Sequence, residues 1–353
     1  MATRQLDPRI KKLKDEGNQI WSYSKLGTFH NCKFAYKLNY MTYPKIENKD
    51  NIYSVLGSVA HDILEEAYNT KTYDGVKANE KFNLELDNIL NRGLVFSKDE
   101  DQNKNIYNNY VKSMTHFFLN FKLEDYKCKQ EGLLIKHLFG KNYIQGFYDQ
   151  LRNYQENLEV IDFKTSTIFK GADRDDKAKQ LILYADILNG SSKHKIDRVG
   201  WHMLKYLVIS YQLKNGKTKE TIALRSEWVS KLEKQLEKDL SAMGMDDLEI
   251  NAYISEAVRN NNLDSMPEII RLKYTIKDYY DWYEFDESHV KEVYKYIEET
   301  IKDIESEEKW EANTSKENSY YCNNLCGFSY MCPYIASKND TVILDDEELD
   351  DLL

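Results

Sequence analysis

The chain has 353 residues with 41% hydrophobic content, enough to bury a sizeable core in one large domain or two modest ones. Charged residues reach 31% and prolines number only 4, which excludes a low-complexity protein, and no apolar run approaches membrane-spanning length. A net charge of −10 argues against nucleic-acid binding until its distribution is read: seven acids (Asp340, Asp345, Asp346, Glu347, Glu348, Asp350, Asp351) crowd the last residues, and without them the body carries −3.

Residues 1–20 read as a charged arm or short helix without the apolar stretch of a signal peptide, so a cytoplasmic location is expected. Ser24 is placed to cap a helix that carries Leu26, Phe29, Phe34 and Leu38 at near-helical spacing, with a break near Asn31. Cys32 falls inside this segment, where a cysteine taken singly is more often a small buried hydrophobe than a ligand. After a polar loop over Pro44–Asn51, Gly57–Tyr68 reads as a helix with Val59, Ile63, Leu64 and Ala67 in one stripe. His61 and Glu65 are four apart and share a side. A lone helix histidine is usually structural, but one behind a close-packing glycine, Gly57, is a metal-site candidate. Residues 70–128 are polar and helical, with Tyr107–Phe121 as one amphipathic helix, and form a helical insertion.

Leu133–Phe139 is strand-like and leads into the stretch around which the chain is organised. Gly146–Asp149 ends one strand, Val160–Lys164 forms the next, and the polar run Arg152–Asn157 suits the turn between them. Strand alternation sets Asp162 and Lys164 on one side and Ile161 and Phe163 on the other, into a core. A hairpin brings Asp149 beside the Asp162/Lys164 pair. Two carboxylates and an ammonium converging on one point suit a hard divalent cation, Mg²⁺ or Mn²⁺. Such an ion polarises a phosphodiester, and the lysine can orient or deprotonate a water. Taken alone, the same residues fit a surface hairpin with solvated charges equally well.

Residues 177–188 form an amphipathic helix on which Gln180 and Tyr184 share a face, suited to reaching a phosphate and a base or to flanking the core. Arg198–Leu207 and Val208–Leu213 are strand-like, Asn215-Gly216 is a hairpin turn, and Thr218–Leu224 is the return strand. Residues 228–243 and 286–308 read as long charged helices, the second capped by Asp286, and 245–284 as a small helical insertion. Of the five cysteines, Cys322, Cys326 and Cys332 fall within one short C-terminal segment that ends Cys-Pro, a pattern for an iron–sulfur or zinc site. Cys32 is the natural fourth ligand, with Cys128 or a histidine as alternatives. Residues 337–353 are acidic, with Leu349, Leu352 and Leu353 as anchors. They read as a solubilising tail or as a segment that folds into a protein partner's groove.

The order of these pieces resembles the RecB-like branch of the P-D-(D/E)-x-K nucleases: S-Y-S-x-L, G-x-x-x-H, G-x-x-D, I-D-F-K-T-S, Q-x-x-x-Y, then the cysteine cluster, over Trp21 to Cys332. It is most similar to the iron–sulfur members, such as the AddB nuclease domain and the CRISPR adaptation exonucleases, and to phage RecB-like exonucleases. The resemblance implies an α/β restriction-endonuclease-like core over 21–336, with a mixed central sheet flanked by helices, helical insertions near 70–128 and 245–284, and a C-terminal cysteine cluster tied to the N-terminal segment. It implies Asp149, Asp162, His61 and the Phe163 carbonyl as metal ligands, Lys164 as the catalytic lysine, and Gln180 and Tyr184 beside the DNA strand. Cys32, Cys322, Cys326 and Cys332 match [4Fe–4S] ligands. Three residues separate Cys322 from Cys326 where the family commonly has two, which keeps zinc open as the alternative. The expected function is a metal-dependent DNA exonuclease on single strands or ends, in bacterial or phage replication, recombination or repair. The alternative is a nuclease-fold adaptor that docks through its acidic tail. No G-x-x-x-x-G-K-[ST] is present, so any helicase is a separate chain.

Overall fold

The structure, a computed structural model, describes residues 6–191, 195–213 and 215–335. The acidic tail lies outside the described residues.

The first elements are α1 (Pro8–Asp15), capped by the Asp7 carboxylate, and β1 (Gln19–Ser22). In α2 (Tyr23–Asn31) the cap is Ser22 and not the expected Ser24: Ser22 has the extended backbone a cap needs and its Oγ accepts from Lys25 N–H, while Ser24 is already helical. The expected break falls at Cys32, whose Sγ accepts from Ala35 N–H at 3.4 Å and so starts α3 (Lys33–Tyr36). Asn51 caps α4 (Ile52–Thr70), and α5 (Gly75–Asn91) and α6 (Glu100–Asn120) follow.

The sheet then runs through β2 (Lys127–His137), β3 (Asn142–Tyr154) and β4 (Asn157–Lys164), crosses over through α7 (Gly171–Ser191), and returns as β5 (Arg198–Gln212) and β6 (Thr218–Leu224). Next come α8 (Glu233–Ala242), α9 (Asp247–Asn260), α10 (Glu268–Lys273), β7 (Thr275–Tyr283) and α11 (Glu287–Ser306), the last capped by Asp286 as expected.

The sheet is mixed: β1 lies parallel to β3 and β4 parallel to β5, and the other pairs are antiparallel. Helices cover both faces. Trp21, Val160, Trp201 and Met203 pack with residues of α2, α7 and α11 on one face. Ile161, Phe163 and Leu204 pack with α4, α5 and α6 on the other. The far end of β5, with β6, packs on α8, α9 and α10 around Leu207, Trp228, Leu236 and Ile250.

Four local expectations change. The hairpin turn is only Gln155-Glu156, both left-handed at φ 48° and 70°, so Arg152 lies inside the strand and not in a loop. Arg198–Gln212 is one strand and not two; its pairing with β7 is irregular between His202 and Leu207. The helix expected over 228–243 begins only at Glu233, after short 3₁₀ turns. The stretch expected as a helical insertion ends in β7, an antiparallel partner of β5 whose acids are held by cations: Arg174 on Asp281 at 2.9 Å, and Arg225 on Asp278.

Two strands change partner along one edge. Opposite β2, the free edge of β3 pairs with β1 as far as Gln145 and then with β4 from Gln150. Opposite β7, the edge of β5 pairs with β4 as far as Met203 and then with β6 from Tyr206. A backbone released from one ladder before it joins the next leaves a crevice, and β4 ends at that crevice.

Candidate active site

Asp149 sits in the partner gap of β3, and its Oδ2 accepts the Phe163 N–H of β4 at 2.7 Å. The carboxylate thus takes a backbone donor that a continuous ladder would have used. Asp162 and Lys164 flank Phe163, and Lys164 Nζ lies 2.5 Å from Asp162 Oδ2. That ion pair is this buried oxygen's close partner. From α4, His61 Nε2 meets the Phe163 carbonyl at 2.7 Å. A carbonyl only accepts, so Nε2 carries a proton, and in the charged ring Nδ1 points its own proton toward Asp149 Oδ2 at 3.5 Å. Glu65, which shares the helix side with His61, is instead engaged by Asn69 at 3.5 Å.

The two carboxylates differ electrostatically. Burial raises the Asp162 pKa and the neighbouring Asp149 charge adds to the rise, against the pull of Lys164. Burial also acts on Asp149, but the His61 hydrogen bond, the charges of His61 and Lys164, and the Phe163 N–H together hold it below the ordinary carboxylate range. Lys164 and His61 are both raised, because the two acids outweigh their burial.

A cleft of about 800 Å³ opens beside this group. His61, Phe163 and Lys164 line it, with Ser54, Ser58, Thr165, Ser166 and Thr167 supplying hydroxyls. Its far wall comes from the cysteine segment: Tyr320 and Leu325 line the cleft, and the Tyr320 hydroxyl meets that of Tyr53 on α4 at 2.8 Å. Lys205, in the partner gap of β5, also lines it and is 9% exposed. Sequence reasoning missed Lys205 because it sits in an apolar strand, and missed Tyr53 and Tyr320 because nothing in a sequence pairs them.

Gln180 Nε2 donates to the Tyr184 hydroxyl at 2.8 Å, and Tyr184 is buried at 3% exposure. Its ring lies over Gly146, where a Cβ would come within 2.3 Å of Cε1. The glycine of G-x-x-D is therefore the close-packed one. Gly57 is not: a Cβ there meets only Thr165 Oγ1 at 3.7 Å, an ordinary contact.

The model of the PD-(D/E)XK nuclease superfamily matches residues 20–333. The chain belongs to that superfamily. No curated protein matches it. The mixed sheet with flanking helices fits the restriction-endonuclease-like fold of a PD-(D/E)XK nuclease. Membership implies phosphodiester hydrolysis, DNA as the substrate class, and Mg²⁺ or Mn²⁺, which these nucleases usually use. No described helix is long and apolar enough to cross a membrane.

The donors suit such an ion: two neighbouring carboxylates, Asp162 buried, and the Phe163 carbonyl beside them. Among the described residues no three His, Cys, Asp or Glu side chains stand grouped as a ready metal cage. Lys164 pairs with Asp162, and His61 lies 3.5 Å from Asp149.

Cys32 and the three C-terminal cysteines, Cys322, Cys326 and Cys332, share one neighbourhood. Cys32 and Cys326 pack in one cluster with Leu38 and Phe328, and Cys32, Cys322 and Cys332 are buried. Burial pushes the Cys326 thiol up to about 11, and the other three cysteines contribute. Cys322 Sγ accepts from Asn318 Nδ2 at 3.6 Å. Four thiols with an apolar shell and N–H donors are a donor set for a thiophilic centre, although they are not drawn together to ligand distances. Cys128 is elsewhere, in β2 against the helical layer of α4, α5 and α6. Backbone contacts tie the segment to the front of the chain: Lys49 N–H to Gly327 O at 3.1 Å and Phe34 N–H to Glu311 O at 3.1 Å.

Proposed function

We propose that this PD-(D/E)XK protein is a DNA exonuclease acting on single strands or DNA ends, with its active site at the Asp149, Asp162, Lys164 and His61 cluster. The reading is supported by the Asp149 carboxylate on the Phe163 N–H, which brings both acids together beside a cleft that His61, Phe163 and Lys164 line. Asp149, Asp162, His61 and the Phe163 carbonyl would hold Mg²⁺ or Mn²⁺, which when bound polarises the phosphodiester and supplies hydroxide. Lys164 orients the attacking water and steadies a non-bridging oxygen. His61 keeps its Nε2 proton on the Phe163 carbonyl, which fixes the ring and turns Nδ1 toward Asp149. The water oxygen bonds to phosphorus, the P–O bond to the leaving sugar oxygen breaks, and that oxygen takes a proton. Gln180 and Tyr184 do not line the cleft; they would support the strand site from behind, Tyr184 buttressing β3 through Gly146 with its hydroxyl held by Gln180.

Preference for a single strand is supported by the cleft walls. Tyrosines and hydroxyls line it, and every base has a face that can stack on tyrosine. The Tyr53–Tyr320 hydroxyl contact closes one side, which favours entry by an end. Cys32, Cys322, Cys326 and Cys332 are proposed to hold a [4Fe–4S] cluster that pins this wall, with zinc as the alternative. Protein purified without oxygen should be brown and contain iron; colourless protein with one zinc per chain would favour the alternative.

The test is digestion of end-labelled linear and circular DNA, single- and double-stranded, with Mg²⁺, Mn²⁺ or EDTA, beside Lys164→Ala. Metal-dependent loss of linear strands only, absent in the variant, supports the reading. Cutting of circles makes the protein an endonuclease. Full activity in folded Lys164→Ala and Asp162→Ala sinks the site.

A further inference from the structure

Lys205 is a buried cation with no anion paired to it among the described residues. It lies on β5 between the last residue paired to β4, Met203, and the first paired to β6, Tyr206. The released backbone there is engaged elsewhere: the Leu204 carbonyl accepts from Arg225 Nε at 2.8 Å. The Lys205 ammonium sits 5.1 Å from the centroid of the Tyr110 ring. Among the described residues no carboxylate pairs with it. Burial alone pulls it down to about 8, with no neighbouring acid to offset the loss. A buried amine that lacks a counter-charge destabilises a fold, and a methionine of similar length would not. Lys205 lines the cleft that Lys164 and Ser166 also line.

We propose that Lys205 anchors a backbone phosphate of the bound strand, distinct from the phosphate being cut. This rests on the nuclease reading of the cleft. Lys164 is engaged by Asp162 beside the reacting group, whereas Lys205 approaches the same space from the next strand with its charge unspent. Thr165, Ser166 and Thr167 continue from the end of β4 along the cleft, hydroxyls suited to further phosphate oxygens. The phosphate supplies the counter-charge that the fold withholds.

The experiment uses the full chain and Lys205→Met, with Lys205→Arg as the charge-retaining control. Binding of a labelled single-stranded oligonucleotide is followed in EDTA across a salt series, and cleavage is measured separately with Mg²⁺. In Lys205→Met we expect binding weaker by about tenfold and a log–log salt slope shallower by about 0.7, the value for one phosphate contact on a single strand. KM rises more than kcat falls, and the melting temperature holds or increases. Lys205→Arg restores the slope. If the methionine variant melts early, Lys205→Gln carries the same comparison. Oligonucleotides with a 5′-phosphate or a 5′-hydroxyl separate an internal phosphodiester from a terminal phosphate: loss confined to the 5′-phosphorylated strand overturns the internal assignment. Wild-type affinity and salt slope in a folded Lys205→Met, while the wild type cuts normally, overturn this proposal alone. A wild type that neither binds nor cuts any strand overturns the nuclease reading with it.

Discussion

Replacing Glu159 by glutamine keeps the shape of the side chain and removes one charge from the free end of the active-site hairpin. Glu159 is fully buried between two guanidiniums: Arg152 Nε at 2.6 Å on Oε2 and Arg198 Nε at 2.6 Å on Oε1. Arg152 is itself buried at 3% exposure, while Arg198 is about one-third exposed. Removing one partner of a buried ion pair destabilises by about 3–5 kcal/mol, because the other charge is left uncompensated. Two features reduce that here. Arg198 retains solvent, and Arg152 keeps the hydroxyls of Tyr126 and Tyr280, each at 3.1 Å. About 3 kcal/mol is therefore expected for Glu159→Gln. A chain of this size shifts its Tm by about 1–2 °C per kcal/mol, so the loss should be about 5 °C in a melt followed by far-UV circular dichroism. The double variant Arg152→Met/Glu159→Leu should melt above the single one, since apolar replacement of a whole buried pair is often neutral or stabilising. A Tm for Glu159→Gln within about 1 °C of wild type would refute the reasoning, because the charge would then be dispensable.

Further outcomes follow from other contacts. Gly146→Ala drives a Cβ into the Tyr184 ring and should destabilise by about 1–3 kcal/mol and lower kcat; Tyr184→Leu in the same chain should recover part of the stability, and additive losses in a double-mutant cycle would count against the clash. Burial, with Arg225 nearby, pushes His116 down to about 4 from the ordinary 6.5. The folded state therefore holds this ring neutral where the unfolded chain protonates it, so its contribution is full above about 6.5 and is lost as pH falls toward 4. Urea midpoints should fall over that window and fall less in His116→Asn; equal slopes would rule the histidine out. Gly327→Ala places a Cβ 2.3 Å from the Lys49 carbonyl, backbone that cannot give way cheaply. Limited proteolysis near 44–51 should become faster, and an unchanged digestion pattern would argue that the loop is not held there.

What the sequence disclosed was local. Asp162 and Lys164 alternate with Ile161 and Phe163, and that period alone sorts acid and lysine from core. Asp286 and Asn215-Gly216 were legible for the same reason, since a cap or a tight turn is written in two or three neighbouring residues. The hidden features depend on partners distant in sequence. Arg152 lies in a polar run that reads as loop, and Glu159 with the Tyr126 and Tyr280 hydroxyls makes its burial tolerable. β7 carries Lys277, Asp278 and Asp281, which mask a strand until Arg225 and Arg174 answer the acids. Ser22 and Ser24 are equivalent as letters, and the backbone entering from β1 decides between them. Lys205 is visible as a lysine but not as an unpaired one.

The far wall of the cleft has a consequence for synthesis. The acids and Lys164 lie near the middle of the chain, whereas Tyr320 and Leu325 are made much later. At about 5–20 residues per second, the ribosome needs roughly ten to thirty seconds to pass from one to the other. Throughout that interval the nascent chain carries the acids and Lys164 without Tyr320 and Leu325 beside them. The cleft is complete only when the segment bearing Cys322 to Cys332 folds back on the residues made first, so the order of translation sets the acid–lysine group well before the wall that faces it.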